Sequence, residues 1–185
     1  CHGSEQDMAD ALAIARQFNI PTVTVTLDDI FDCVLQALPS LESNEQTKKL
    51  AEANLKPRLR MTALYYLANR LNYMVVGTGN KSELSVGYFS KYGDGGVDIM
   101  PLANLLKKDV IELARHLGVP TRIIEKPPSG GLWPGQTDEG EIGVTYKDLD
   151  QYLATGQASE KVRKKVDALA RASAHKRASP ATPPF

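Results

Sequence analysis

Cysteine is almost missing from this chain. The two present, Cys1 and Cys33, make neither a disulfide framework nor the paired spacing of a metal site, which fits a reducing, cytoplasmic compartment. Long apolar runs are missing as well. Nothing approaches the ~20 residues of a membrane-spanning helix, and no signal peptide opens the chain. Neither sign of charge is in excess: Lys plus Arg and Asp plus Glu both total 22, which argues against a general role on nucleic acid or membrane surfaces. Of the three histidines only His2 lies near a cysteine, so no metal cluster is visible. There is no Gly-x-x-x-x-Gly-Lys-Ser/Thr loop and no Gly-x-Gly-x-x-Gly after a strand. The initiator Met is also missing; the chain opens Cys-His-Gly-Ser and reads as an internal start.

What is present is a 185-residue chain, the length of one domain and enough to bury roughly 70% of its unfolded surface. Its charge is segregated. Residues 138–150 carry five acidic side chains against one lysine, and residues 161–177 carry seven basic ones against one aspartate.

Apolar periodicity predicts the elements. Ser4 and Asp7 resemble a capping box ahead of a helix through Phe18. Thr22–Leu27 alternates as a strand, and Ile30–Leu38 reads as a second helix. Residues 40–53 read as a short helix or mobile loop. Asn54 is the expected cap of a third helix, with Pro57 tolerable in its first turn. A strand at Tyr73–Val76 and another at Val97–Met100 follow. Asn104 is the expected cap of a helix ended by Gly118 and Pro120. Residues 125–143, with three prolines and five glycines, predict a long active-site loop, mobile or lid-like. Helices near 146–155 and 159–174 close the chain. Strands alternating with helices predict an α/β fold with a mainly parallel sheet covered on both faces.

The chemistry concentrates where the Tyr73–Val76 strand runs into Gly77-Thr78-Gly79-Asn80-Lys81-Ser82-Glu83, since open α/β sheets bind ligands beyond the carboxyl ends of their strands. Glu83 has two readings: a Mg²⁺ ligand among oxygen donors, or a carboxylate stabilised at a helix N-terminus. Lys107, in a first helical turn, is either a phosphate-binding group or a solvated surface lysine. Lys91, Asp94 and Asp98 flank the Gly93–Gly96 run, which suits a simple turn or a loop that approaches a ligand closely. Arg58 offers a fork for carboxylate or phosphate or a plain surface charge. His175, Lys176 and Arg177 sit at a helix C-terminus, where cations are favoured in any case. Ser129-Gly130-Gly131 imitates the start of a Ser-Gly-Gly-x-Asp-Ser phosphate loop but continues Leu132-Trp133, without the Asp-Ser.

Taken in order, Asn54–Met61, Gly77–Glu83, Gly87–Gly96, Asp98–Leu102, Lys126–Ser129, Gly135–Glu139 and His175–Arg177 resemble the NAD synthetases of the N-type ATP pyrophosphatase group, over nearly the whole chain. The string Gly-Tyr-Phe-x-Lys-Tyr-Gly-Asp-Gly-Gly at 87–96 is the most specific part. The resemblance implies a Rossmann-like fold and a homodimer with deamido-NAD at its interface. It implies an ammonia-dependent ligase (EC 6.3.1.5) that adenylates the nicotinate carboxylate with ATP, then displaces AMP with ammonia. It further implies Glu83 on Mg²⁺; Thr78, Lys107 and Ser129 on ATP; and Arg58, Lys91, Asp98, His175 and Lys176 on deamido-NAD. Asp94 would order its loop or lie by the reacting groups.

Three departures accompany it. The Ser-Gly-Gly-x-Asp-Ser loop, its second Mg²⁺ carboxylate and the N-terminal strand-loop-helix are absent, so the 185 residues alone are expected to be inactive. Pro57 stands where alanine is common, and Ser129 where threonine is frequent. A related ATP pyrophosphatase of the GMP synthetase kind would lack the 87–96 string, and a non-catalytic nucleotide-binding module is the other alternative.

Overall fold

The computed structural model describes residues 5–184. Ser4, the expected first cap, lies outside the described residues. Helices run α1 (Glu5–Gln17), α2 (Asp28–Ala37), α3 (Glu45–Leu71), α4 (Lys81–Val86), α5 (Lys107–His116), α6 (Thr121–Ile124), α7 (Asp138–Ile142), α8 (Tyr146–Thr155) and α9 (Glu160–Ala172), then a 3-10 turn at Ala174–Lys176. The expected helices at both ends of the chain are all present.

Two caps lie elsewhere than the sequence suggests. The cap of helix α3 lies ten residues before Asn54, at Asn44, whose Oδ1 accepts the Thr47 N–H at 2.8 Å. Asn54 sits mid-helix. Its amide nitrogen donates to the Leu50 carbonyl and its Oδ1 accepts the Ser90 hydroxyl at 2.6 Å, so it ties down the 87–96 loop instead of starting a helix. Pro57 is therefore in the helix interior, where it lacks an N–H for the ladder. Its ring is buried and faces Gly93, at which a Cβ would come within 3.0 Å of the Pro57 Cβ. Asn104 does not cap α5 either. Leu106 holds the cap position, and its N–H donates to Asp109 Oδ2 at 2.9 Å.

The sheet is reduced to one contact among the described residues. Val76 and Ile99 form a parallel bridge, with Gly77 N donating to Ile99 O at 2.8 Å and Asp98 N to Val75 O at 2.9 Å. Residues 22–26 take no strand pairing. Alternation sets which side chains share a face, but a strand needs a neighbour's backbone to pair with, and residues 22–26 make no such pairing among the described residues.

The densest packing lies among α4, α7, α8 and α9. Val86, Ile142, Tyr146, Leu149 and Val166 form a buried cluster, each side chain contributing about 1.5–3 kcal/mol by leaving water. Threonine and serine caps start the last helices: Thr145 Oγ1 accepts the Asp148 N–H at 3.1 Å and Ser159 Oγ that of Val162. Gly156 ends α8 at φ +73°. This cluster fixes α4 and α8 against each other, and with them the groups described next.

Candidate active site

The chain leaves the Val76 bridge, turns at Gly77–Gly79 and enters α4 through a capping box. Asn80 Oδ1 accepts the Glu83 N–H at 3.0 Å, and Glu83 Oε2 accepts the Asn80 N–H at 3.1 Å. The two readings of Glu83 are thereby compatible, one oxygen for each. The second oxygen, Oε1, stands 3.1 Å from Lys107 Nζ. Lys107 opens α5, and its backbone N–H donates to Ser82 Oγ at 3.0 Å. The Lys108 N–H donates to Asp150 Oδ2 at 2.8 Å. The Ser82 hydroxyl in turn donates to Asp150 Oδ1. Ser82 and Asp150 are 0% and 3% exposed, so two N–H groups of the α5 N-terminus are satisfied from inside the protein. The lysine side chain projects from a fixed turn.

Glu83, Lys107, Asp94, Ser129, Tyr88 and Asp138 all line one cavity of about 600 Å³. Three of the residues expected at ATP and its metal, drawn from α4, α5 and the 125–143 loop, are thus brought together. A second cavity of about 380 Å³ shares Tyr88, Asp94 and Gly130 with the first and adds Phe89, Trp133 and Lys176. Asp94 lies where the two meet.

The remaining expected residues are placed less directly. Thr78 is exposed and lines neither of these cavities. Arg58 donates to the Lys91 carbonyl at 3.3 Å, and Lys91 Nζ to the His175 carbonyl at 2.6 Å, so these three gather on one rim. Asp98 uses both oxygens to hold the bridge region, accepting from the Tyr65 hydroxyl at 2.9 Å and the Val75 N–H at 2.7 Å. Lys176 donates to the carbonyls of Gly87 and Phe89 at 2.9 and 2.7 Å; burial pulls its pKa down, opposed by Asp94. Asp94 Oδ1 accepts the Ser90 N–H at 2.9 Å, and Tyr92 between them takes a left-handed φ of +61°. The glycines here serve close packing, not a hairpin: a Cβ on Gly95 would meet the Phe89 ring at 2.4 Å.

Sequence reasoning missed an aromatic-acid layer beneath the cavity. The Tyr146 hydroxyl donates to Asp138 Oδ2 at 2.9 Å and stands 3.4 Å from Glu83 Oε1, and Lys107 Nζ sits 5.0 Å above its ring. The Tyr88 hydroxyl donates to Glu141 Oε2 at 2.5 Å, which also accepts from Gln136 at 2.7 Å. Burial raises the pKa of both tyrosines, reinforced by the neighbouring carboxylates, so both stay neutral. Burial also raises that of Asp138, against the pull of Tyr146, Tyr88 and Lys107. The sequence signals were the acidic run at 138–150 and the family-like segments 87–96 and 135–139, which hold Tyr88 and Asp138 but say nothing of who faces whom.

Among the described residues no three His, Cys, Asp or Glu side chains converge as a metal cage. Magnesium does not need one, since it binds through one or two carboxylates and keeps waters and phosphate oxygens. Glu83 Oε1, not used by the cap and on the cavity wall, fits that role, with Lys107 beside it for phosphate.

A model of the NAD synthase family matches residues 2–180. An NH3-dependent NAD+ synthetase of Carboxydothermus hydrogenoformans is 50% identical over 183 residues, 99% of this chain and 75% of that protein. One from Syntrophomonas wolfei is 50% identical over 181 residues, covering 97% and 73%. The solved NMN synthetase of Francisella tularensis superimposes with a TM-score of 0.93 at 40% identity, covering all of this chain and 75% of that one.

Proposed function

This chain belongs to the NAD synthase family, and we propose on that premise that its two joined cavities are the ATP and acid-acceptor halves of an ammonia-dependent NAD synthetase. The reaction is a ligation in two steps. A nicotinate carboxylate oxygen of deamido-NAD bonds to the α-phosphorus of ATP as pyrophosphate leaves. Nitrogen then bonds to the acyl carbon as AMP leaves, and ammonium sheds two protons on its way to the amide. A carboxylate resists nucleophiles; adenylation supplies its leaving group.

The observation that carries this reading is the meeting of Glu83, Lys107 and Ser129 on one cavity wall with Asp94 at the junction to the next. Glu83 would hold Mg²⁺, which when bound neutralises charge on the departing pyrophosphate. Lys107 and Ser129 bind phosphate oxygens, and Thr78 would reach ATP from the strand end. Arg58, Lys91, Asp98, His175 and Lys176 bind or shape the deamido-NAD side, Lys176 by fixing the Gly87–Phe89 backbone. The expected 125–143 loop opens to admit substrate only over its part ahead of α7, since Asp138–Ile142 is helical and Ile142 is packed in the core. Segments 73–76 and 97–100 belong to one parallel sheet, a reading that the Val76–Ile99 bridge supports.

The location is cytoplasmic. The free, exposed Cys33 supports that reading; separately, no described helix is long and apolar enough to cross a membrane.

The test is formation of NAD, AMP and pyrophosphate from deamido-NAD, ATP, Mg²⁺ and ammonium chloride. Replacing Glu83 with Gln should lower turnover about 100-fold or more, the scale of losing a transition-state charge contact; near-normal turnover would remove the metal role. The close superposition on an NMN synthetase favours a second acceptor, the mononucleotide acid. Competing the two acids in one assay decides between them.

A further inference from the structure

Trp133 is the one tryptophan of the chain, and α3 grips the turn that carries it at two points. Lys56 Nζ donates to the Leu132 carbonyl at 2.7 Å. Lys49 Nζ sits 4.6 Å from the centroid of the Trp133 ring, within the range of a cation–π contact. The two lysines are seven residues apart, so both lie on one stripe of the helix. Lys56 is itself fixed. Its Nζ lies 5.6 Å from the ring centre of the buried Phe31. Burial pulls its pKa down, aided by Arg60 and opposed by Asp28 and Glu52. A partly buried ammonium needs a hydrogen-bond acceptor, and the Leu132 carbonyl supplies one. The turn is also braced from within. The Leu132 N–H donates to Gln136 Oε1 at 2.7 Å, and Gln136 Nε2 donates to Glu141 Oε2 on α7 at 2.7 Å. At the base of the same loop the Asp138 N–H donates to the Pro128 carbonyl at 2.9 Å. Ser129, at that base, lines the first cavity, whereas Leu132 and Trp133, at the tip, line the second.

Resting on the ligase reading, we infer that Lys56 and Lys49 are positioning residues for the acceptor acid: they hold Trp133 as a fixed aromatic wall of the second cavity. Trp133 shares that wall with Phe89. A wall of aromatic rings suits a flat heteroaromatic acid, because rings pack on one another in offset or edge-to-face contact. A loop that is ordered only when its ligand arrives subtracts its ordering entropy from binding. A loop gripped beforehand does not. The grip therefore acts on the acceptor more than on ATP, since Ser129 is held from the base of the loop and Lys107 from α5.

The test reads the fluorescence of Trp133, which no other tryptophan obscures, beside the KM values for deamido-NAD and ATP. Without any substrate, Lys56→Met should move the emission to longer wavelength. It should also raise quenching by acrylamide, an uncharged quencher, as the ring leaves its seat. The deamido-NAD KM should rise about tenfold, the scale of one charge-assisted hydrogen bond, while the ATP KM stays within about twofold. Lys56→Arg keeps a charged donor and should recover most of both signals. Lys49→Ala, at an exposed position, covers the case in which Lys56→Met does not fold. It should raise acrylamide quenching and lift the deamido-NAD KM about two- to fivefold, the scale of an exposed cation–π contact. Unchanged emission and quenching in the folded variants overturns the grip. An equal rise in both KM values, or a Lys56→Arg variant no better than Lys56→Met, overturns the positioning role. Failure of the wild type to release pyrophosphate from ATP and deamido-NAD would instead strike the ligase reading, with the substrate-free fluorescence still deciding the grip.

Discussion

Asp138, on the wall of the first cavity, makes a stability prediction. Burial raises its pKa above the ordinary 3.8, so the folded protein binds its proton more tightly than the unfolded chain. Stability from this group is complete below pH 3.8 and falls as pH rises through the raised value. At pH 8 the ionised, buried carboxylate is a cost. Asp138→Asn should then raise the melting temperature by about 2–4 °C, the equivalent of ~1 kcal/mol in a chain of this size, with the gain vanishing near pH 4. Melting curves across that range check it, and a lower melting temperature at pH 8 would mark Asp138 as a structural strut. Glu83 and Lys107 stood out in the sequence as polar groups at helix starts, each with a structural reading beside the functional one, whereas Ser129 and the role of Asp94 came from the family resemblance. The roles of Asp138, Tyr88 and Tyr146 were not legible: they depend on which hydroxyl proton goes where, and the partners lie from 8 to 63 positions apart.

At the scale of elements, periodicity located α1, α2, α5, α8, α9 and the body of α3 but not the short helices α4, α6 and α7, the last of which lies within the expected 125–143 loop, and local chemistry misplaced two helix starts. Asn54 and Asn104 are competent caps in isolation. Asn44 prevailed because α3 extends over residues the sequence presents as plainly polar, and α5 is capped from another element altogether. That second case carries a consequence. Asp150 on α8 and Ser82 on α4 hold the first two N–H groups of α5, so the direction of Lys107 depends on a helix more than forty residues downstream. Asp150→Ala would leave the Ser82 hydroxyl proton and the Lys108 N–H without acceptors in the interior, at about 2–3 kcal/mol. The expected result is a melting temperature lower by roughly 4–10 °C and an ATP KM raised several-fold, with the deamido-NAD KM little changed. Equal effects on both KM values would show a general loosening instead of a misdirected Lys107.

At the scale of the molecule, the sheet was the least legible part, since pairing is a property of neighbours while alternation is a property of one segment. Val23, Met74 and Val76 have the composition of buried strand residues and are 77%, 59% and 55% exposed. Helix α3 presents a different kind of apolar surface. Leu50, Leu64 and Leu71 recur at multiples of seven along it and are 53%, 51% and 55% exposed. Side chains at that spacing stay on one stripe with only ~20° of drift per seven residues. A stripe of that length on a helix that also carries Arg58 suits self-association of two copies, which is the arrangement proposed for the family's dinucleotide site. Light scattering after size exclusion should give twice the chain mass for wild type. Leu64→Asp with Leu71→Asp should shift it to one chain mass, because a charge placed at the centre of an apolar contact is desolvated without a partner. The same pair should raise the deamido-NAD KM more than the ATP KM, since α3 carries Arg58 while the Glu83–Lys107 pair is held by α4, α5 and α8. A wild type of single-chain mass at all concentrations, or a variant that remains dimeric, would put the dimer contact elsewhere than α3.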